Sequence, residues 1–185
     1  MTILNRKNEY SPAFKLIHWL MAVGIILMLF AGFFMGDIPK TSDWHEIIKN
    51  IHRLAGLFLL FLAFIRVFIR LLSSVPDLPH STPKIEQLLS KSTHLCLYLL
   101  IFMIPLSGWF MTTTVGKISK LPIIAGITLP MPFVPTSISL AKQANQLHEL
   151  LSWCLIVLVS LHVLAALKHH FIDKDTILKR MLFTK

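Results

Sequence analysis

The chain has 185 residues, of which 55% are apolar and only 15% are charged, and its formal net charge is +9. A soluble domain of this length needs more charge to cover its surface, so the composition excludes an ordinary soluble protein and indicates that lipid is the main solvent. Nucleic-acid binding is not expected, because the basic residues lie at the ends of apolar runs, where anionic lipid headgroups attract them, and form no stripe on a polar surface.

Four apolar runs have about the 20 residues that a helix needs to cross a bilayer. They cover residues 14–35, 51–72, 93–111 and 147–167. They predict an all-α integral membrane four-helix bundle, with one domain over residues 1–185. The basic residues Arg6, Lys7 and Lys15 precede the first run as in a signal peptide. That run is longer than a typical signal core, contains His18 and lacks a small-residue cleavage site, so we expect a retained helix.

The distribution of lysine and arginine predicts the orientation of these helices. One side, with both termini and the connection 73–92, carries twelve basic residues including the helix ends, and the other side carries six. We therefore expect a multi-pass protein of the bacterial inner membrane with both termini in the cytoplasm. The twelve are Arg6, Lys7, Lys15, Arg66, Arg70, Lys84, Lys91, Lys168, Lys174, Lys179, Arg180 and Lys185, and the six are Lys40, Lys49, Arg53, Lys117, Lys120 and Lys142.

The connection 112–146 on the periplasmic side is long and rich in proline. It contains Pro122, Pro130, Pro132 and Pro135. Proline disfavours helix interiors, so this composition predicts an ordered lid over the bundle and not another helix.

Histidines carry the main functional signal. His148 and His162 are fourteen residues apart in the fourth run, which is nearly four helical turns, so both rings project from one face. At a rise of ~1.5 Å per residue they are separated by roughly 21 Å along the axis. Polar groups at membrane depth are costly and usually functional, so each of these two histidines is a candidate axial ligand of a separate haem.

Topology supplies the partners of these two histidines. His18 lies near the cytoplasmic start of the first run, level with His162, and His52 lies at the periplasmic start of the second, level with His148. We therefore predict one haem between His18 and His162 and another between His52 and His148. No C-x-x-C-H motif for covalent attachment occurs, so these would be b-type haems. Two imidazoles per iron favour electron transfer over oxygen binding. A zinc site is excluded, because histidines on opposite membrane faces cannot converge within about 2.1 Å of one ion.

The same spacing marks residues that could line the haems. Gly32 and Gly108 follow His18 and His94 by fourteen residues, and glycine lets a porphyrin approach the backbone closely. Close helix packing explains these glycines, and also Gly24, about as well. Gly56, one turn after His52, belongs to the same stripe.

Arg66 follows His52 by fourteen residues and is a candidate partner of a buried propionate or a quinone headgroup. His94 begins the third run near the cytoplasmic haem, and quinone binding and a structural role both remain open for it. His169 is the chief competitor as cytoplasmic ligand, but its place beside Lys168 and His170 favours an interfacial role. His45 and His80 lie between apolar runs and are expected to be solvated.

Several segments together resemble the bacterial cytochrome b561 family over nearly the whole chain. They are Leu-Ile-His18-Trp, Asn-Ile-His52-Arg-Leu-Ala-Gly, His94-Leu-x-x-Tyr-Leu-Leu, Gly126-Ile-Thr-Leu-Pro-Met-Pro, the pair His148 and His162, and Leu-Lys-His169-His170-Phe-x-x-Lys-Asp. The chain is similar, more broadly, to the di-haem cytochrome b subunits of nickel hydrogenases and formate dehydrogenases. The resemblance implies that the four histidines ligate two haems b.

Within that family the resemblance is greatest to the superoxide oxidase branch, which implies oxidation of periplasmic superoxide to dioxygen and transfer of the electron to ubiquinone. A basic surface would raise the encounter rate of this small anion. The six periplasmic basic residues against Asp37, Asp43, Glu46 and Glu149 leave a surplus of two positive charges. The alternative is an electron-transfer subunit between the quinone pool and a separate dehydrogenase or periplasmic carrier. A haem-free structural or transport protein is a third, weaker interpretation.

Overall fold

A computed structural model describes residues 10–73, 76, 79, 82–115 and 133–183. Four long helices run through these residues: α1 (Pro12–Met35), α2 (Asp43–Leu71), α3 (Lys84–Thr114) and α4 (Ile138–Phe171), and a short 3-10 turn follows at Lys179–Met181. Each long helix has the length and apolar composition to cross a membrane. Within the described residues the regular structure is entirely helical, which confirms the predicted all-α, four-helix membrane architecture.

Helix packing buries a small centre and leaves apolar side chains outside. Neighbours along the chain pack together, α1 on α2, α2 on α3 and α3 on α4. Met21, Leu62 and Ala63 form the buried centre. Large apolar side chains such as Leu27 and Phe64 stay exposed around the bundle. An exterior this apolar is unfavourable in water and favourable in the hydrocarbon of a lipid bilayer.

The predicted spans were too short at their N-terminal ends. α2 begins at Asp43 and not at residue 51, α3 at Lys84 and not at 93, and α4 at Ile138 and not at 147. An apolar run marks only the part of a helix that lies in lipid, whereas the backbone hydrogen bonds continue through polar residues beyond it. Ser42 and Ser137 cap α2 and α4 by accepting backbone N–H groups. His52 and His94, expected at the starts of their runs, therefore lie nine and ten residues after the first residues of α2 and α3.

The lid predicted over residues 112–146 was wrong at both ends, where the chain is helical. Residues 112–114 belong to α3, and α4 begins at Ile138, so the connection covers residues 115–137. The N–H of Ser137 donates to the carbonyl of Thr114 at 2.8 Å, which joins the two ends of this connection. Pro135 lies in its described part, while Pro122, Pro130 and Pro132 lie outside the described residues.

Both ends of the described chain lie on one side of the bundle. The Lys15 Nζ donates to the carbonyl of Leu182 and the Trp19 Nε1 donates to the carbonyl of Met181, each at 2.8 Å. We call this end, where α1 begins and α4 ends, the terminus side. The opposite end, where α1 ends and α4 begins, is the loop side. Which compartment each side faces stays a prediction from the count of basic residues.

Candidate functional site

Four histidines meet in two pairs inside the bundle. On the terminus side the ring centroids of His18 and His162 are 6.4 Å apart. Nearer the loop side those of His52 and His148 are 6.3 Å apart. These are the two pairs expected from the topology. A metal–imidazole bond is about 2 Å long, so two rings on opposite sides of one ion have centroids roughly 6 Å apart. Both pairs have room for one metal ion between their rings.

His94 also approaches the terminus-side pair, but with a different spacing. Its ring centroid is 5.4 Å from that of His162, which is closer than two rings that share a metal ion. The carbonyl of Ser90 accepts a hydrogen bond from His94 Nδ1 at 2.7 Å. The geometry therefore favours His18 over His94 as the partner of His162 and leaves His94 beside the pair.

Two neighbours on α3 hold the ring of His148. Its Nδ1 donates to the carbonyl of Ile104 at 2.9 Å and lies 3.0 Å from the hydroxyl of Ser107. The hydroxyl of Ser107 in turn donates to the Ile104 carbonyl at 2.7 Å. A proton fixed on Nδ1 leaves the lone pair on Nε2, which is how proteins usually orient a metal-binding histidine. Sequence reasoning missed Ser107, whose only signal is a hydroxyl inside an apolar run, next to Gly108.

Small residues leave space next to the loop-side pair. A Cβ atom on Gly32 would stand 3.4 Å from His52 Cε1, and one on Gly108 would stand 3.2 Å from His148 Cε1. Gly24 instead faces Leu59 and Gly56 faces Met28, so those two glycines serve helix packing. His52 Nδ1 is buried and has no hydrogen-bond partner among the described residues. The 6.3 Å between the ring centroids and the space left by the two glycines therefore fit a bound group between His52 and His148.

Arg66 lies at the terminus-side pair. Its Nη1 is 3.0 Å from His18 Nδ1, and its guanidinium lies over the rings of Phe14 at 4.9 Å and Tyr98 at 5.8 Å. Arg70 lies over Tyr98 from the next turn, also at 5.8 Å. Among the described residues, the buried Tyr98 hydroxyl has no hydrogen-bond partner and no carboxylate forms an ion pair with Arg66. This positively charged corner suits an acidic or carbonyl group of a ligand.

Tyr10, just before α1, extends the same corner. Its ring stacks on Phe14 with centroids 5.1 Å apart. Burial raises the pKa of the Tyr10 phenol, while the positive charge of Arg70 opposes that rise. The hydroxyl therefore stays neutral and able to donate a hydrogen bond.

His169 lies in a separate network with carboxylates. Its Nδ1 is 2.7 Å from Asp175 and 3.1 Å from Asp173. Glu86, His169 and Asp173 converge as metal ligands do, but Lys168 Nζ lies 2.7 Å from Glu86 and 2.9 Å from Asp173 and supplies the positive charge there. His169 therefore lies apart from the two histidine pairs, and its interfacial role stays a prediction.

The solvated location expected for His45 was wrong. His45 is buried, with 7% of its surface exposed, and its Nδ1 lies 3.1 Å from the carbonyl of Ile38. α2 begins at Asp43, so His45 lies in its first turn and packs against the connection from α1. His80 lies outside the described residues.

Four apolar helices that bring histidines together in pairs inside the bundle are typical of membrane cytochromes of the b type. The family model of prokaryotic cytochrome b561 matches residues 9–184. The chain therefore belongs to the prokaryotic cytochrome b561 family, as its resemblance implied. Membership implies haem b binding and a role in membrane electron transfer.

Individual relatives match along almost their whole length. The chain is 34% identical over 183 residues to "Cytochrome b561 homolog 2" of Escherichia coli (strain K12), covering 98% of this chain and 95% of that protein. It is 28% identical over 177 residues to "Cytochrome b561 homolog 1" of the same organism, with coverage of 95% and 97%. It is 29% identical over 177 residues to the "Probable superoxide oxidase CybB" of Yersinia pestis, with coverage of 95% and 96%.

Proposed function

We propose that this protein is a di-haem superoxide:ubiquinone oxidoreductase of the bacterial inner membrane. In this proposal His18 and His162 ligate one haem b, and His52 and His148 ligate the other. The observation that carries it is the meeting of two histidine pairs, with ring centroids 6.4 Å and 6.3 Å apart, in a chain of a haem-binding family. The relative named a probable superoxide oxidase supports the choice of substrate.

Haem b, when bound, supplies a one-electron redox centre. If both imidazoles of a pair held the haem iron, the residues would favour electron transfer without bond formation. Ile104 and Ser107 fix the orientation of His148, and Gly32 and Gly108 leave space beside the rings. The chain thus acts by positioning its redox groups and controlling access to them.

In the proposal the loop side faces the periplasm and receives superoxide. Four described basic residues on that side are balanced by four acidic ones, so the predicted surplus depends on Lys117 and Lys120, outside the described residues. Arg53 follows His52 directly in sequence but projects about 100° around the helix from it, so it would act on superoxide through its charge and not by contact with the ring. Its guanidinium donates to the neutral side chain of Asn50 at 2.7 Å, so that hydrogen bond leaves its positive charge available to attract an anion.

The overall reaction balances when two superoxide ions serve one quinone. Each superoxide loses one electron and becomes dioxygen, and ubiquinone takes the two electrons with two protons to become ubiquinol. We place the quinone headgroup on the terminus side, next to His94. Because His94 Nδ1 donates its proton to the Ser90 carbonyl, its Nε2 has a free lone pair that would accept a hydrogen bond from a hydroxyl of the ubiquinol product.

Stopped-flow mixing tests this function directly. Purified, oxidised, haem-loaded protein is mixed with superoxide or, in a parallel experiment, with ubiquinol, and the haem absorbance is followed. We expect rapid reduction by superoxide and turnover that continues when ubiquinone is added. Slow reduction by superoxide together with rapid reduction by ubiquinol would contradict the proposal and favour an electron-transfer subunit for another enzyme.

A further inference from the structure

The two histidine pairs differ in the groups that surround their Nδ1 atoms. On the loop side, His148 Nδ1 donates to the neutral carbonyl of Ile104 at 2.9 Å, with the hydroxyl of Ser107 3.0 Å away. On the terminus side, His18 Nδ1 faces the cationic guanidinium of Arg66 at 3.0 Å. His148 therefore meets hydrogen-bond acceptors, whereas His18 meets a positive charge.

These surroundings have opposite effects on a redox centre. An acceptor that draws on the ring proton makes the imidazole a stronger donor, which stabilises oxidised iron and lowers the midpoint potential. A nearby positive charge stabilises the reduced state, which carries one positive charge fewer, and raises the midpoint potential. The effect of a charge is large where little water screens it, as inside a bundle at membrane depth.

Arg66 is held where its charge keeps acting on the pair. Its guanidinium lies over the rings of Phe14 at 4.9 Å and Tyr98 at 5.8 Å. A ring that binds metal through Nε2 carries a proton on Nδ1, so the hydrogen bond to Arg66 would then give way. The charge would remain beside the ring, because the aromatic contacts do not depend on that bond.

Other charged or titratable groups near the two pairs are weaker candidates for this effect. Arg53, next to His52, directs its guanidinium to Asn50 at 2.7 Å. Arg70 lies over Tyr98, one turn beyond Arg66. His94 lies beside His162 and donates to a carbonyl. Among the described residues, only Arg66 brings a permanent charge within hydrogen-bond distance of a ring of either pair.

We propose that Arg66 makes the terminus-side centre the one of higher potential and so directs electrons from the loop side to the terminus side. The inference rests on the proposed function, because it requires that the two histidine pairs hold haem. Arg66 acts through its charge on His18 and its surroundings, so it is a positioning residue and not a catalytic one. Superoxide would then deliver its electron at the low-potential end, and the quinone would receive it at the high-potential end.

Anaerobic potentiometric titration of the visible spectrum tests this proposal on the purified, haem-loaded protein. We expect two one-electron components in the unaltered protein. The variant Arg66→Gln should lower the upper midpoint potential by about 59 mV, equivalent to about a tenfold change in electron partition, and leave the lower one in place. Arg66→Lys keeps the positive charge and should retain most of the upper midpoint potential. The matched control Arg70→Gln should lower that potential by less than Arg66→Gln does. An upper component that does not move in Arg66→Gln would overturn the proposal.

Ligand variants assign the components without relying on Arg66→Gln. His162→Ala should remove the upper component and His148→Ala the lower one. Loss of the lower component in His162→Ala would overturn this inference. This test still applies if Arg66→Gln binds no pigment. Two components that persist in both alanine variants would instead contradict the proposed ligands, so failure of the two proposals can be told apart.

Discussion

The ring of His148 lies so close to Gly108 that a Cβ atom on this glycine would stand 3.2 Å from Cε1 and 3.4 Å from Nδ1. The distance to Cε1 is shorter than ordinary van der Waals contact, and the distance to Nδ1 lies at its lower limit. The ring has little freedom to retreat, because its Nδ1 is bonded to the Ile104 carbonyl on the same helix as Gly108. A side chain at position 108 must therefore displace the imidazole or spread α3 from α4.

We expect Gly108→Ala to lose pigment at the loop-side pair. Overpacking of this kind costs about 1–3 kcal/mol of folding free energy. The measurements are the haem-to-protein ratio and thermal unfolding in detergent. Gly36→Ala is the matched control, since a Cβ there meets nothing within 4 Å. An unchanged haem-to-protein ratio and an unchanged unfolding temperature in Gly108→Ala would show that the His148 ring can move aside without cost.

Replacement of one proposed ligand histidine should abolish binding of one of the two haems. His18→Ala and His52→Ala should each retain about half of the haem of the unaltered protein, because a single imidazole holds haem poorly without its partner. His169→Ala is the control and should keep full haem content, since His169 lies in the network with Asp173 and Asp175. Pyridine haemochrome assays against protein concentration provide the count. A full count in either ligand variant would contradict the assignment of that histidine.

Binding of ubiquinol should depend on His94, whereas the haem content should not. Loss of one hydrogen bond from a quinol hydroxyl to Nε2 is worth about 1 kcal/mol, so His94→Phe should raise the KM for ubiquinol, measured as a reductant of the haem, severalfold. Reduction of the haem by superoxide in stopped flow should stay fast. Ser90→Ala is a suitable control, because it keeps the backbone carbonyl that holds His94 Nδ1. An unchanged KM for ubiquinol in His94→Phe would leave His94 with a structural role.

The sequence predicted the membrane helices and the meeting of the histidines for physical reasons. Lipid requires long apolar helices, and a spacing of fourteen residues keeps His148 and His162 on one face. Helix starts were missed, because capping by Ser42 and Ser137 depends on polar residues outside the apolar runs. The contact of Ser107 with His148 depends on how α3 packs on α4, which no single-helix pattern contains.

Arg53 should raise the rate at which superoxide encounters the loop side of the protein. Replacing Arg53 by Gln removes a positive charge next to His52, so the second-order rate of haem reduction by superoxide should fall severalfold. Its dependence on ionic strength should weaken as well, because less attraction remains for salt to screen. Lys91→Gln is the control, since this exposed residue lies on the terminus side. Equal rates for the two variants at low salt would contradict a steering role for Arg53.

The C-terminal segment should loosen when its contact with α1 is removed. Trp19→Phe keeps an aromatic ring but removes the hydrogen bond from Nε1 to the Met181 carbonyl, 2.8 Å long. A hydrogen bond of this kind contributes about 0.5–1.5 kcal/mol, so local opening of residues 179–183 should increase roughly two- to tenfold. Hydrogen exchange measures that opening, and Trp153→Phe is the control, because the Trp153 ring faces Phe33 and not the C-terminal segment. If exchange stays equal in the two variants, the contact from Lys15 to Leu182 is enough to hold the segment.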